Sequence, residues 1–148
     1  MNVNLKGAFL FAKSAFLGMK MAGRATFVVI SSIMVTHPYP KRLAYATSKA
    51  GLEGLVRELA VEWGRYGIST NAIQLGHLEG LMKTTKTNPG LLDAVRERIP
   101  SGRLVQPADV ASYILWLSEG GAVAVSGGVT EFDPAYTINR WPLANDQT

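Results

Sequence analysis

Residues 25–75, ATFVVISSIMVTHPYPKRLAYATSKAGLEGLVRELAVEWGRYGISTNAIQL, decide the fold. They open on ATFVVISS (25–32), a short apolar run rich in β-branched side chains, which suits a strand of a parallel sheet buried on both faces. A loop with His37, Pro38 and Pro40 follows. From about Ala44 to Tyr66 apolar residues recur at helical spacing, and Gly67 stands where a helix commonly ends on a left-handed residue. ISTNAIQL (68–75) is a second buried-strand run. Strand, helix and strand in this order make an α/β unit with a right-handed crossover.

Outward from this unit the pattern continues. On its N-terminal side Val3, Phe9, Leu10, Ala12, Phe16, Leu17 and Met21 recur at helical spacing and predict a core-facing amphipathic helix. Lys6, Lys13 and Lys20 interrupt its apolar stretches, which are too short for a secretory signal core or a membrane span. On the C-terminal side, residues 76–107 mix Gly80, Asn88, Pro89, Gly90, Pro100 and Gly102 with one short helical segment, Leu91 to Arg98, as a covering loop would. Pro107 suits the first turn of a helix running to about Ser118, with Asp109 favourable at its N-terminal dipole. VTEFD after Gly127 and Gly128 is a last short strand, and a polar tail from Pro134 carries Tyr136 and Trp141. Trp63 and Trp116 lie on apolar helical faces and are expected in the core.

At 148 residues the chain has the size of one ordinary domain. Hydrophobic residues at 47% and charged residues at 18% exclude a disordered chain. There is no cysteine, so disulfides and thiolate chemistry are excluded, and the cytoplasm is the expected location. The formal charge of +4 comes from scattered basic residues, a solvated surface rather than a nucleic-acid footprint. His37 and His77 read as loop residues, no clustered carboxylates accompany them, and no metal site is expected.

The chemistry concentrates on LAYATSKAGLEGL (43–55). Tyr45 and Lys49, four apart on a helix, share a face. A nearby ammonium favours the phenolate form of a tyrosine, so Tyr45 can exchange a proton with an alcohol or carbonyl oxygen nearer neutral pH. Ser32 closes the preceding strand at the carboxyl edge where open α/β sheets bind ligands, and its hydroxyl can bond the same oxygen. Asn4 on the first helix could orient a water or backbone group behind the lysine. Taken singly, each of these residues also has an ordinary structural reading.

Their combination carries more. NVNLKGAF (2–9), VVISS (28–32), YATSKAGL (45–52), GISTNAI (67–73), IPSGRLVQPADVA (99–111) and SGGVTEFD (126–133) run in one order nearly end to end. Together they resemble the short-chain dehydrogenase/reductase family, and within it 3-oxoacyl carrier-protein reductases and sugar or polyol dehydrogenases. The resemblance implies a catalytic tetrad of Asn4, Ser32, Tyr45 and Lys49. Tyr45 is then the acid/base, Lys49 lowers its pKa and holds the cofactor ribose, Ser32 steadies the substrate oxygen, and Asn4 supports a proton relay. Ser31 is the less favoured serine. NAD or NADP is the implied cofactor, held by Tyr45 and Lys49 and, after the second strand, by Gly76 and the backbone of Leu78.

The same resemblance sets the remaining expectations. The family's glycine-rich pyrophosphate turn lies upstream of the tetrad, and nothing here precedes Asn4 to supply it. The expected fold is thus a partial Rossmann-like domain over residues 1–148 with about three parallel strands and flanking helices. It lacks the first four strands and leaves the 25–32 strand with an open edge. Residues 76–107 form the substrate cover, where Leu81, Met82 and Leu91 suggest a partly apolar pocket and Lys83 or Lys86 could meet an acidic group. Residues 134–148 form the tail. Leu75 and Gly80 replace the family's proline and threonine around the nicotinamide, and Asp133-Pro134-Ala135 replaces Asp-Gly-Gly. The function so implied is the catalytic half of an NAD(P)-dependent oxidoreductase acting on a small carbonyl/alcohol substrate, expected to be inactive as an isolated chain. The alternative is a noncatalytic oligomerisation module. Helices matching residues 2–21 and 44–66 form a subunit interface in relatives, so a homo-oligomer or a complementing chain is the expected partner, with neither nucleic acid nor membrane.

Overall fold

A computed structural model describes residues 1–80, 89–119 and 124–140. A π-helical turn, Asn2–Lys6, leads into α1 (Gly7–Ala22), followed by β1 (Ala25–Ser32), α2 (Leu43–Trp63), β2 (Ile68–Leu75), α3 (Pro89–Arg98), α4 (Pro107–Ser118) and β3 (Val129–Phe132). The three strands form one parallel sheet in the order β1-β2-β3. Ser32 pairs with Leu75 and Leu75 with Phe132, so all three strands end level at one edge. This is the expected α/β fragment of a Rossmann-like fold.

Two glycines set the other edge. Gly23 ends α1 at φ 68° and Gly67 ends the turn after α2 at φ 72°, both left-handed. A Cβ on Gly67 would run into the carbonyl oxygen of Gly23. Only glycine therefore lets the two turns touch and deliver β1 and β2 side by side, with the Ala25 amide donating to the Gly67 carbonyl at 3.2 Å.

The core follows from α2. Leu52, Val56, Leu59 and Trp63 recur every three to four residues and present one buried stripe to Phe27 and Val29 of β1 and Ile68 and Ala72 of β2. Trp63 meets Phe27 edge-on at 5.9 Å and stacks on Phe16 at 5.2 Å. Burying each such large side chain contributes about 1.5–3 kcal/mol. A second, smaller cluster, Val95, Ile99 and Leu104 with Leu92 and Tyr136, sits under α3.

Three expectations are corrected. The stripe of the first helix that packs on the core is Leu5, Ala8, Ala12, Phe16 and Met19. Val3, Phe9, Leu10, Leu17 and Met21 are exposed. That helix is apolar around most of its circumference, so periodicity did not say which stripe the sheet would take. β1 is not buried on both faces. Phe27, Val29 and Ser31 are buried, but Val28 is half-buried and Ile30 exposed; among the described residues the end of α4 reaches this edge strand, where Thr26 Oγ1 donates to the Leu117 carbonyl at 3.3 Å. β2, the middle strand, is buried over seven of its eight residues. Trp116 is 48% exposed rather than in the core, stacked on Tyr113 at the surface. Among the described residues no helix is long and apolar enough to cross a membrane.

Candidate active site

Tyr45, Lys49 and Glu53 stand four apart along α2, facing the end of β1. The Lys49 ammonium donates to the Ile30 carbonyl at 2.6 Å and lies 5.6 Å from the centre of the Tyr45 ring. The strand backbone thereby fixes the cation beside the tyrosine. Partial burial pulls the Lys49 pKa below the ordinary lysine value. Tyr45 remains partly exposed, as a group meeting a diffusible molecule must be.

Ser32 is buried, and its Oγ accepts from the Met34 amide at 3.2 Å, opening the short turn Ile33–Val35 that carries the chain away from the sheet. The hydroxyl retains its proton for donation. Asn4 stands in the π-helical turn rather than in α1. Its amide donates to Ser48 Oγ at 3.1 Å, and Ser48 in turn donates to the Tyr45 carbonyl at 2.7 Å. The described contact of Asn4 is thus with the turn of α2 between Tyr45 and Lys49, through a fully buried serine.

Gly76 and Leu78 lie at the end of β2, one strand over. The Gly76 amide donates to the Phe132 carbonyl at 2.9 Å, and a Cβ there would stand 2.7 Å from Asp133 Oδ1. Leu78 forms a parallel bridge with Val105: Val105 donates to the His77 carbonyl at 3.1 Å, and Glu79 donates to the Val105 carbonyl at 2.9 Å. The amide and carbonyl of Leu78 itself take no part in that bridge, and have no backbone partner among the described residues. Asp133 accepts from the Thr137 amide at 2.8 Å through Oδ2, while its buried Oδ1 has no partner among the described residues. His77, between Gly76 and Leu78, is half-buried; burial lowers its pKa, Asp133 works against that shift and Arg98 adds to it.

A cation, hydroxyls and backbone polar groups along one sheet edge are the donors and acceptors that could hold the nicotinamide end of a dinucleotide. Among the described residues no glycine-rich strand-to-helix turn offers amides to a pyrophosphate. Of the residues named for the covering segment, Leu91 is partly buried on α3, while Leu81, Met82, Lys83 and Lys86 fall outside the described residues.

Sequence reasoning missed a buried polar network behind the site. Glu53 accepts from Ser31 Oγ at 2.6 Å and from Gln74 Nε2 at 2.9 Å, and Gln74 Oε1 accepts from Thr36 at 3.2 Å. It locks α2 to the ends of β1 and β2, and explains why Ser31 turns inward while Ser32 closes the strand. The available signal was a glutamate four residues beyond Lys49, on the face that otherwise packs. Ser48 carried no such signal.

Residues 1–137 match the family model described as enoyl-(acyl carrier protein) reductase. The chain belongs to the short-chain dehydrogenase/reductase family. It is 38% identical over 142 residues to an uncharacterized oxidoreductase of Thermotoga maritima, covering 93% of this chain and 57% of that one. It is 36% identical over 135 residues to human (3R)-3-hydroxyacyl-CoA dehydrogenase, covering 86% and 51%. A short-chain dehydrogenase/reductase structure from Burkholderia thailandensis superposes with a TM-score of 0.82 at 25% identity, covering 91% and 54%. A structure from Agrobacterium tumefaciens assigned as a 2-deoxy-D-gluconate 3-dehydrogenase, with bound NADP, superposes with a TM-score of 0.80 at 32% identity, covering 92% and 56%. The chain spans about half the length of these relatives.

Proposed function

We propose that this chain supplies the acid/base half of an NAD(P)-dependent oxidoreductase working on a small carbonyl/alcohol pair. The observation that carries the reading is the Lys49 ammonium, pinned to the Ile30 carbonyl and facing the Tyr45 ring at the edge where β1 ends in Ser32. When bound, the nicotinamide supplies or accepts the hydride. The chain's own residues manage the accompanying proton and the position of the oxygen. Tyr45 Oη gives its proton to a carbonyl oxygen, or takes one from an alcohol. Ser32 donates to that oxygen and holds it against the phenol. Lys49 places positive charge beside the phenol and offers donors to the ribose. Asn4 acts through Ser48 on the turn that carries Tyr45 and Lys49, and the backbone of Leu78, which takes no part in the bridge to Val105, meets the carboxamide.

The likeness to human (3R)-3-hydroxyacyl-CoA dehydrogenase supports reading the substrate as an alcohol or its ketone. The described residues serve the nicotinamide end and offer nothing comparable to the pyrophosphate, so the 148-residue chain alone is expected to bind NADH and NADPH too weakly to turn over. Calorimetry with both nucleotides, alongside sedimentation of the same sample, tests this; saturable binding by the lone chain would overturn that part. Wherever nicotinamide-dependent turnover is obtained, alone or with a complementing segment, Tyr45→Phe is expected to lower it by about 10²–10⁴-fold. Robust turnover by that variant would sink the mechanism.

One feature favours a second reading, an oligomerisation module without chemistry. A groove of about 590 Å³ between α1 and α2 is lined by Phe9, Phe16, Val61, Trp63 and Tyr66, and Leu17 and Met21 stand exposed on the same helix α1. Stable monomeric behaviour at high concentration would remove it.

A further inference from the structure

We propose that Tyr136 is the positioning residue that clamps the substrate-covering segment to the edge of the sheet where Gly76 and Leu78 lie. The inference rests on the reading of residues 76–107 as a substrate cover; the clamp itself stands on geometry alone. Over its described residues 89–107 the cover has a core of its own, Val95, Ile99 and Leu104, separate from the main one. A segment that does not share the main core keeps its place only through what ties it there. Three elements meet at Tyr136. Its ring packs on that small core from below α3. The edge of His77, from the turn after β2, meets the ring at 4.4 Å and 80°. The Arg98 guanidinium at the end of α3 lies over it at 4.4 Å and reaches the hydroxyl at 3.4 Å. Cation and aromatic contacts of this kind each stabilise a partly exposed site modestly, and here they converge on one ring.

The ring is itself held. Asp133, directly after β3, accepts the Thr137 amide, and buried Thr137 donates to Glu131 at 2.7 Å. Asn139 donates from its side chain to the Arg98 carbonyl at 2.8 Å, closing the last turn of α3 against the same segment. What the sequence suggests is a polar tail from Pro134 is, through Arg140, a strap between β3 and the cover. The backbone bridge between Leu78 and Val105 and a more exposed ion pair between Arg96 and Glu79, 3.5 Å, are further ties to the turn after β2.

The clamp is also pH-sensitive. The charged and titratable groups facing His77 are Asp133 from the end of β3, Arg98 from α3 and Tyr136 itself. Burial of the imidazole in the clamp disfavours its proton, with Arg98 adding to this and Asp133 opposing it, so acidification loosens the tie.

Amide hydrogen exchange on the full chain, with neither nucleotide nor substrate present, tests the proposal independently of any activity. Tyr136→Ala is expected to speed exchange in residues 95–105 by about tenfold while leaving residues 68–75 of β2 unchanged, and Tyr136→Phe, which keeps the ring, to stay within about twofold of the parent. In Tyr136→Ala the His77 resonances should titrate at higher pH, since the ring that buries the imidazole is gone. Uniformly faster exchange in 68–75 and 95–105 alike, or an unchanged His77 titration, would overturn the assignment and leave Tyr136 an ordinary packing residue. Should Tyr136→Ala fail to fold, Arg98→Met is read the same way: faster exchange confined to 95–105 supports the clamp, and parental exchange refutes it.

Discussion

Lys49 carries its charge at a cost. Half-buried against β1, it has a pKa below the ordinary 10.5, so between that lowered value and 10.5 the unfolded chain binds more protons than the folded one. Stability contributed through this residue therefore rises with pH across that window, because the penalty of burying the ammonium disappears as it deprotonates. Lys49→Met should flatten the rise; urea unfolding midpoints measured from neutral pH to 10.5 would show the two curves diverging in favour of the parent as pH increases, and parallel curves would refute the burial argument. Gly76 offers a steric counterpart. A methyl there meets Asp133 Oδ1 at 2.7 Å and the Phe132 carbonyl at 3.0 Å, so Gly76→Ala is expected to cost about 1–3 kcal/mol in chemical denaturation. The pairing of Tyr45 with Lys49 could be read in advance because four residues on a helix is a fixed geometry. The acceptor of Lys49 could not, because the Ile30 carbonyl is backbone and every residue has one. Nor could Asn4 be placed on Ser48, 44 residues away, from spacing alone.

At the scale of elements, α2 is the piece on which sheet and site both depend. Its inward stripe holds β1 and β2 while its first turns present Tyr45 and Lys49, so damage to the packing should reach the chemistry. Trp63→Ala is expected to lower stability by about 3–5 kcal/mol, read by thermal or denaturant unfolding. Gly67→Ala combines a left-handed backbone with a collision at Gly23, and should destabilise by more than the roughly 0.4–1 kcal/mol that the same substitution gains where alanine fits without strain. The strands 25–32 and 68–75 stood out in the sequence as short runs with β-branched residues, although only β2 is buried along nearly its whole length, and Gly67 and Pro107 marked helix ends by their backbone chemistry. The rotation of α1 was illegible for the opposite reason: Phe9, Leu10, Phe11, Phe16 and Leu17 ring the helix, and only the position of the sheet selects Ala12 and Phe16. The Pro134–Arg140 strap escaped notice because its ties, Asp133 to Thr137 and Asn139 to Arg98, join short polar side chains to backbone groups, a pattern common to any loop.

For the whole molecule, the covered fraction of the relatives frames the expectations. A three-stranded sheet, its covering helices and the edge that carries Ser32, Tyr45 and Lys49 lie within this chain, and the relatives are about twice as long. The apolar surface left on α1 and α2 belongs to the same scale. Val61 is 83% exposed and borders the groove with Phe9 and Phe16, so Val61→Glu is expected to shift any self-association toward monomer in sedimentation without changing the far-ultraviolet spectrum. An unaltered distribution would place the association surface elsewhere. The purely parallel sheet has a kinetic consequence as well. No two strands are neighbours in the chain: Thr26 meets Ser69 across 43 residues, and Asn71 meets Gly128 across 57. Every strand pair must therefore await closure of a long loop, a contact pattern that slows folding relative to helical or hairpin-built proteins of this size. The shorter loop also contains α2, whose stripe rewards its closure at once, so β1, α2 and β2 should assemble first. β3, with its strap and the cover it ties down, should join last and be the first part to leave.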